Sequence, residues 1–118
     1  MKSSDDAWLS FASSFEADPN PDWVTVGLLP VVRLARRDPV LCGLFPYQSM
    51  SRLCFEPAPQ SDRFGSPYPC IEFMMSLNAY WIFDRPYESE SGPRAVRLGE
   101  SSVPEEAIAI VKQHLPSA

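Results

Sequence analysis

The sequence predicts an α+β domain: a four-stranded antiparallel meander with helices packed on one face. Two observations carry that expectation. Between Met50 and Leu98 four short segments alternate apolar with polar residues, and the breaks between them are rich in Pro, Gly, Ser and Asn. On either side of this stretch the apolar residues recur instead at helical spacing.

The chain has 118 residues, which fits a single α+β domain over 1–118. A domain of this length buries roughly two-thirds of its unfolded surface, enough for a modest core. Hydrophobic residues make up 45% and charged residues 21%, so the body of the chain is expected to fold rather than stay disordered. The 13 prolines cluster at segment boundaries and act as punctuation. With a formal net charge of −5 the chain repels phosphate backbones, so no nucleic-acid partner is expected. It contains no apolar run of about 18 residues, so no membrane span is expected. Met1 to Asp6 is polar and acidic and lacks the apolar core of a signal peptide, which points to the cytoplasm. Three cysteines, Cys42, Cys54 and Cys70, are odd in number and widely spaced. That argues against a disulfide framework, and without a C-x-x-C pair no metal site and no cofactor is expected.

The first helix is expected over Ser4–Ala17, with Ser4 as cap and Asp5 and Asp6 at its positive end. Trp8, Phe11, Ala12 and Phe15 form its apolar stripe, and the Asp18-Pro19-Asn20-Pro21 run ends it. Trp23–Val26 fits either a brief edge strand or the lead into a second helix. That helix is expected over Leu28–Asp38, with Pro30 in its first turn and Leu28, Val31, Val32 and Ala35 inward. Arg33, Arg36 and Arg37 form the one basic cluster. It suits the solvated end of a helix, or a small patch for an anion or an acidic partner. Val40–Tyr47 is apolar and broken by Pro46, as in a buried connector or a single helical turn.

The four strands are expected at Met50–Glu56, Pro69–Met75, Ala79–Asp84 and Arg94–Leu98. The loop over 57–67 is too long for a tight hairpin, and Ser76-Leu77-Asn78 is short enough for one. Pro86–Pro93 is a polar loop. The terminal helix begins at Pro104-Glu105-Glu106, has a core stripe of Ala107, Ile108, Val111 and Leu115, and stops at Pro116.

Alternation places Leu53, Phe55, Ile71, Phe73, Trp81, Phe83, Val96 and Leu98 on the core face. The opposite face then carries Arg52, Cys54, Glu56, Cys70, Glu72, Met74, Tyr80, Ile82, Asp84 and Arg97. Apolar residues interleaved with charges suit a face covered by a second copy or another protein, or one that holds a small molecule. A register slip of one residue would exchange the faces. Glu56, Glu72 and Asp84 could act as acid and base if two lay close, but cross-strand ion pairs with Arg52 and Arg97 suit them better. Each cysteine suits a buried small hydrophobe. His114, the single histidine, suits the last turn of its helix. No phosphate-binding, zinc-hydrolase or nucleophile-elbow motif occurs.

Two stretches resemble a family of small actinobacterial proteins of unknown function associated with natural-product biosynthesis. The first is Asp38-Pro39-Val40-Leu41-Cys42-Gly43-Leu44-Phe45-Pro46-Tyr47-Gln48-Ser49 followed by Leu53-Cys54-Phe55; the second runs from Pro104-Glu105-Glu106-Ala107 to His114-Leu115-Pro116. Together they cover about a quarter of the chain. Met50 stands where that family is expected to carry a histidine, so no acid–base role for the turn carries over. The resemblance implies a context, an accessory in a bacterial biosynthetic cluster, and no mechanism. The leading expectation is therefore a small bacterial accessory or interaction protein, a homodimer or bound to a protein partner, acting through the outer face and the 57–67 loop. The alternative is a metal-independent enzyme or binding protein for a biosynthetic intermediate, with Arg52, Glu72, Tyr80, Trp81 and Asp84 as the candidate binding residues. A third is an immunity-type inhibitor whose acidic surface steers onto a basic toxin.

Overall fold

A computed structural model describes residues 3–59, 67–85 and 95–116. It is an α+β fold of two layers. Five strands form one antiparallel sheet, β1 (Phe45–Ser49), β2 (Arg52–Glu56), β3 (Cys70–Met74), β4 (Ala79–Phe83) and β5 (Arg97–Ser101), in the order β1-β2-β3-β4-β5. Three helices, α1 (Ser4–Glu16), α2 (Trp23–Arg37) and α3 (Pro104–Gln113), cover one face of it. The sheet has one strand more than expected. Val40–Tyr47, expected as a buried connector or a single helical turn, holds a short 3₁₀ turn at Leu41–Gly43, but its end joins the sheet as β1, an edge strand, where the missing N–H of Pro46 leaves no ladder bond unmade.

The first two helices start at a residue whose side chain accepts from a free N–H group. Ser3, one residue ahead of the expected cap, accepts from the Asp6 N–H. Asp22 accepts from the Thr25 N–H at 2.8 Å, which settles Trp23–Val26 as the first turn of α2. Pro30 consequently sits inside α2 and not in its first turn. Its ring removes the bond to the carbonyl four residues back, that of Val26, whose residue is exposed. Pro104 opens α3 as expected, and Ala107, Ile108 and Val111 are buried.

One apolar cluster holds the layers together. Trp8, Leu28, Val31, Val32, Leu53, Phe55, Ile71, Ile82 and Val111 are all essentially inaccessible to water. β4 enters this core with the register opposite to that expected. Ile71 pairs with Ile82, and Tyr80 and Ile82 face the helices, whereas Trp81 and Phe83 lie on the outer face. Both faces of Ala79-Tyr80-Trp81-Ile82-Phe83 are apolar, so alternation alone carries no sign; the pairing decides it. The inward assignment is fixed by α2. The Tyr80 hydroxyl donates to the Gly27 carbonyl at 2.6 Å. The ring of Phe73 fills the space a side chain at position 27 would need: a Cβ there would lie 2.2 Å from that ring.

The last strand is displaced towards the C-terminus, Arg97–Ser101 in place of Arg94–Leu98, and Val96 is exposed rather than in the core. Gly99, a poor strand former, masked this segment in the sequence. It lies under α3, where a Cβ would come within 3.0 Å of Ile110. A register shift against Ile82 and Phe83 lets Leu98 pack on the core while Arg97 stays on the outer side. The other strands begin and end within two residues of expectation, and Met50 forms the β1–β2 turn with φ 54°. Most of the 57–67 and 86–93 loops lies outside the described residues.

Candidate functional site on the outer sheet face

The pairing registers arrange the outer face in rows that cross all five strands. One row is Ser49, Arg52, Glu72, Trp81 and Glu100. The next is Tyr47, Cys54, Cys70, Phe83 and Arg97; its Cys54–Cys70 step follows by continuing the β2–β3 register one residue beyond Leu53 and Ile71.

Long side chains tie the rows together. Arg52 bonds Glu72 through Nε at 2.8 Å, and its guanidinium lies 4.7 Å from the centroid of the Phe83 ring. To reach Phe83 from β2 it must cross β3. Burial opposes the Arg52 charge, but the bond to Glu72 and the nearby Cys70 and Cys54 sulfurs outweigh it, so its pKa is raised. Arg97 stacks on Trp81 with the guanidinium 4.6 Å from the ring, and the Trp81 indole N–H donates to Glu100 at 3.1 Å. Trp81 and Phe83 meet edge to face at 6.3 Å. The face is thus a lattice of cation–π contacts and hydrogen bonds.

Of the candidate binding residues, Arg52, Glu72 and Trp81 come together here. Tyr80 does not: it is buried on the helix side. Burial, and then the Glu105 carboxylate, raise its pKa. Asp84 follows β4 and accepts from the Val96 N–H at 2.8 Å while pairing with Arg85. Those partners outweigh burial and hold its carboxyl below the usual range. Glu72 and Asp84 are thus each bound to an arginine. Phe83 and Glu100 were missed as members of the face, the first through the β4 register and the second because the strand was ended before Gly99.

Tyr47, Cys54 and Cys70 form a buried cluster of their own, with Phe83 packed against it. The sequence did not pair the two cysteines. The signal was their shared face on neighbouring strands, not their spacing in the chain. The Cys54 thiol is pushed far up, first by its hydrogen bond to Cys70 and then by burial. Cys42 is elsewhere, in the 3₁₀ turn Leu41–Gly43.

Clefts among the described residues open on the helix side. One of about 380 Å³ between the end of α2 and α3 is lined by Leu34, Arg37, Asp38, Ile108 and Lys112, among others. Asp38 crosses its edge, pairing with Lys112 at 2.8 Å and accepting from the N–H groups of Val40 and Leu41. Burial works against the Asp38 charge, yet these partners outweigh it and lower its pKa. Another cleft, about 320 Å³, holds the basic cluster; Arg33 reaches Glu16 at 3.4 Å, and Arg36 and Arg37 complete the lining with Ala12. The His114 Nδ1 lies 2.9 Å from the Ile110 carbonyl in the last turn of α3. Among the described residues no helix is long and apolar enough to cross a membrane, and no group of three or more His, Cys, Asp or Glu is placed to hold a metal ion.

No protein-family model, curated protein or solved structure matches this chain.

Proposed function

We propose that this chain is a small cytoplasmic bacterial interaction protein, an accessory of natural-product biosynthesis, that docks a second copy of itself through the outer face of its sheet. What supports the reading above all is Trp81, a large half-buried ring on the face of an interior strand opposite the helices, held between Arg97 and Glu100. Aromatic residues and arginine are the types enriched where proteins bind one another, and rings already clamped lose little freedom on docking. Arg97 and Glu100 offer both signs of charge, as a two-fold self-complementary surface requires. The ion pairing of Glu72 favours docking over acid–base chemistry, which would need a carboxylate free to exchange a proton.

The test is the solution mass by light scattering, on wild type and on Trp81→Lys, with circular dichroism as the fold control. The expected result is a wild-type dimer and a folded monomeric variant. A wild-type monomer at high concentration, or a dimer untouched by the variant, overturns the reading. A second reading, binding of a small biosynthetic intermediate, rests on the 380 Å³ cleft between α2 and α3, which is within the usual size of ligand sites. Chemical-shift changes confined to Leu34, Ile108 and Lys112 on addition of candidate compounds would favour it.

A further inference from the structure

Cys54 and Cys70 are the pair of reactive groups that no part of the docking reading uses. Continuing the β2–β3 register sets them directly opposite one another. The kind of pair follows from one hydrogen bond. The Phe73 N–H donates to the Ser51 carbonyl at 3.2 Å, so Ser51 and Phe73 are a hydrogen-bonded pair. Pairs alternate along an antiparallel ladder. Arg52–Glu72 is therefore a non-hydrogen-bonded pair, Leu53–Ile71 a hydrogen-bonded one, and Cys54–Cys70 non-hydrogen-bonded again. In such a pair the Cα atoms lie roughly 4.5 Å apart and the side chains are at their closest. Disulfides accept Cα separations of about 4.4–6.8 Å. The two side chains pack in one small buried cluster, and neither is in a disulfide.

We propose that Cys54 and Cys70 are a reversible modification site, a vicinal dithiol that closes to a cross-strand disulfide by exchange with a small-molecule disulfide of the glutathione class. Cys70, after losing its thiol proton, attacks one sulfur of the oxidised glutathione. The glutathione S–S bond breaks, a Cys70–glutathione bond forms, and the departing thiolate takes up the Cys70 proton. Cys54 then loses its proton and attacks Cys70 Sγ. The mixed disulfide breaks, the Cys54–Cys70 bond forms, and the second glutathione leaves with the Cys54 proton. One oxidised glutathione is reduced to two thiols, and two protein thiols become one disulfide.

The order of attack follows from the site. The Cys54 thiol donates to the Arg52 carbonyl at 3.9 Å and the Cys70 thiol to the Arg85 carbonyl at 3.5 Å. Cys54 lies within its strand and holds its proton more tightly than an ordinary thiol, whereas Cys70 is the first residue of β3, so Cys70 is the sulfur left to begin. The Arg52 guanidinium is close enough to act on both sulfurs, and its charge favours the Cys54 thiolate. Both thiols are buried, so exchange needs an opening. They belong to a small cluster separate from the main core. Arg52 and Phe83 can therefore swing away from them while the helices stay on the sheet.

The test incubates the intact protein with oxidised glutathione, quenches with acid, alkylates, and counts thiols by mass spectrometry. The expected result is that two of the three thiols disappear, that a peptide carrying Cys54 is linked to one carrying Cys70, and that dithiothreitol restores both. Cys42→Ser should form the same link. Cys54→Ser, checked for folding by circular dichroism, should stop at the Cys70–glutathione mixed disulfide. A link through Cys42 overturns the proposal. So does retention of all three thiols by the folded protein under conditions that oxidise the urea-unfolded chain. Since neither readout involves a partner, failure of the docking reading leaves this test unchanged.

Discussion

The two faces of this sheet are built from the same five strands and held by different physics. The helix face is filled by Leu53, Phe55, Ile71 and Ile82, whose contacts are non-directional and whose contribution scales with the area removed from water. The outer face is organised by direction: Arg52 is aimed at Glu72 and Phe83, Arg97 at Trp81, and Trp81 at Glu100. The difference teaches where the chain keeps its stability and where it keeps its chemistry. An apolar core tolerates any packing of the right volume, whereas a lattice of aimed contacts is lost when one member changes shape.

Substitutions of equal size on the two faces should break or sharpen that contrast. The largest expected effect is Phe55→Ala, which empties a fully buried site and should cost about 3–5 kcal/mol in urea unfolding. If Phe83→Ala on the outer face costs as much, the contrast fails. Gly27→Ala comes next. Its Cβ would lie 2.2 Å from the Phe73 ring, so α2 must lift from β3, at about 1–3 kcal/mol. Tyr80→Phe removes only the bond to the Gly27 carbonyl and should cost about 1 kcal/mol. Trp81→Ala should change the unfolding midpoint least while abolishing self-association in light scattering.

The helix layer also has a pH-dependent pin. Asp38 has its pKa lowered in the folded state, so its stabilisation is present above the unfolded carboxylate value of about 4 and is lost as pH falls through the folded value. Asp38→Asn should therefore lower stability at neutral pH and flatten this part of the acid transition, as measured by urea titrations across that range.

The helices and the strand-rich middle were legible because their patterns have one apolar side each. β4 was not. Tyr80 and Ile82 are as apolar as Trp81 and Phe83, so only a partner strand could say which pair faces inward. β1 was hidden by Pro46, since a sequence does not mark which strand will be an edge. β5 was displaced by Gly99, whose missing side chain makes room for Ile110 of α3, a requirement set from outside the strand. Arg52 and Glu72 could be placed on one face from alternation and strand order, whereas alternation put Trp81 on the core face and only the β3–β4 pairing brings it beside Glu72. The cysteine pair could not, because their adjacency depends on a register that no residue between them reports.

The order of pairing in the sheet has a consequence for how the chain acquires its structure during synthesis. Every strand pairs with the one made just before it, so the sheet can grow as it emerges. The helix layer is different: α3 must return to α2, and the contact between Lys112 and Asp38 spans 74 residues. At roughly 5–20 residues per second, the apolar stripe of α2 waits for seconds before α3 exists to cover it. A nascent chain halted just before Pro104 would carry a paired sheet beneath an uncapped helical layer, the form in which this protein would most need a chaperone.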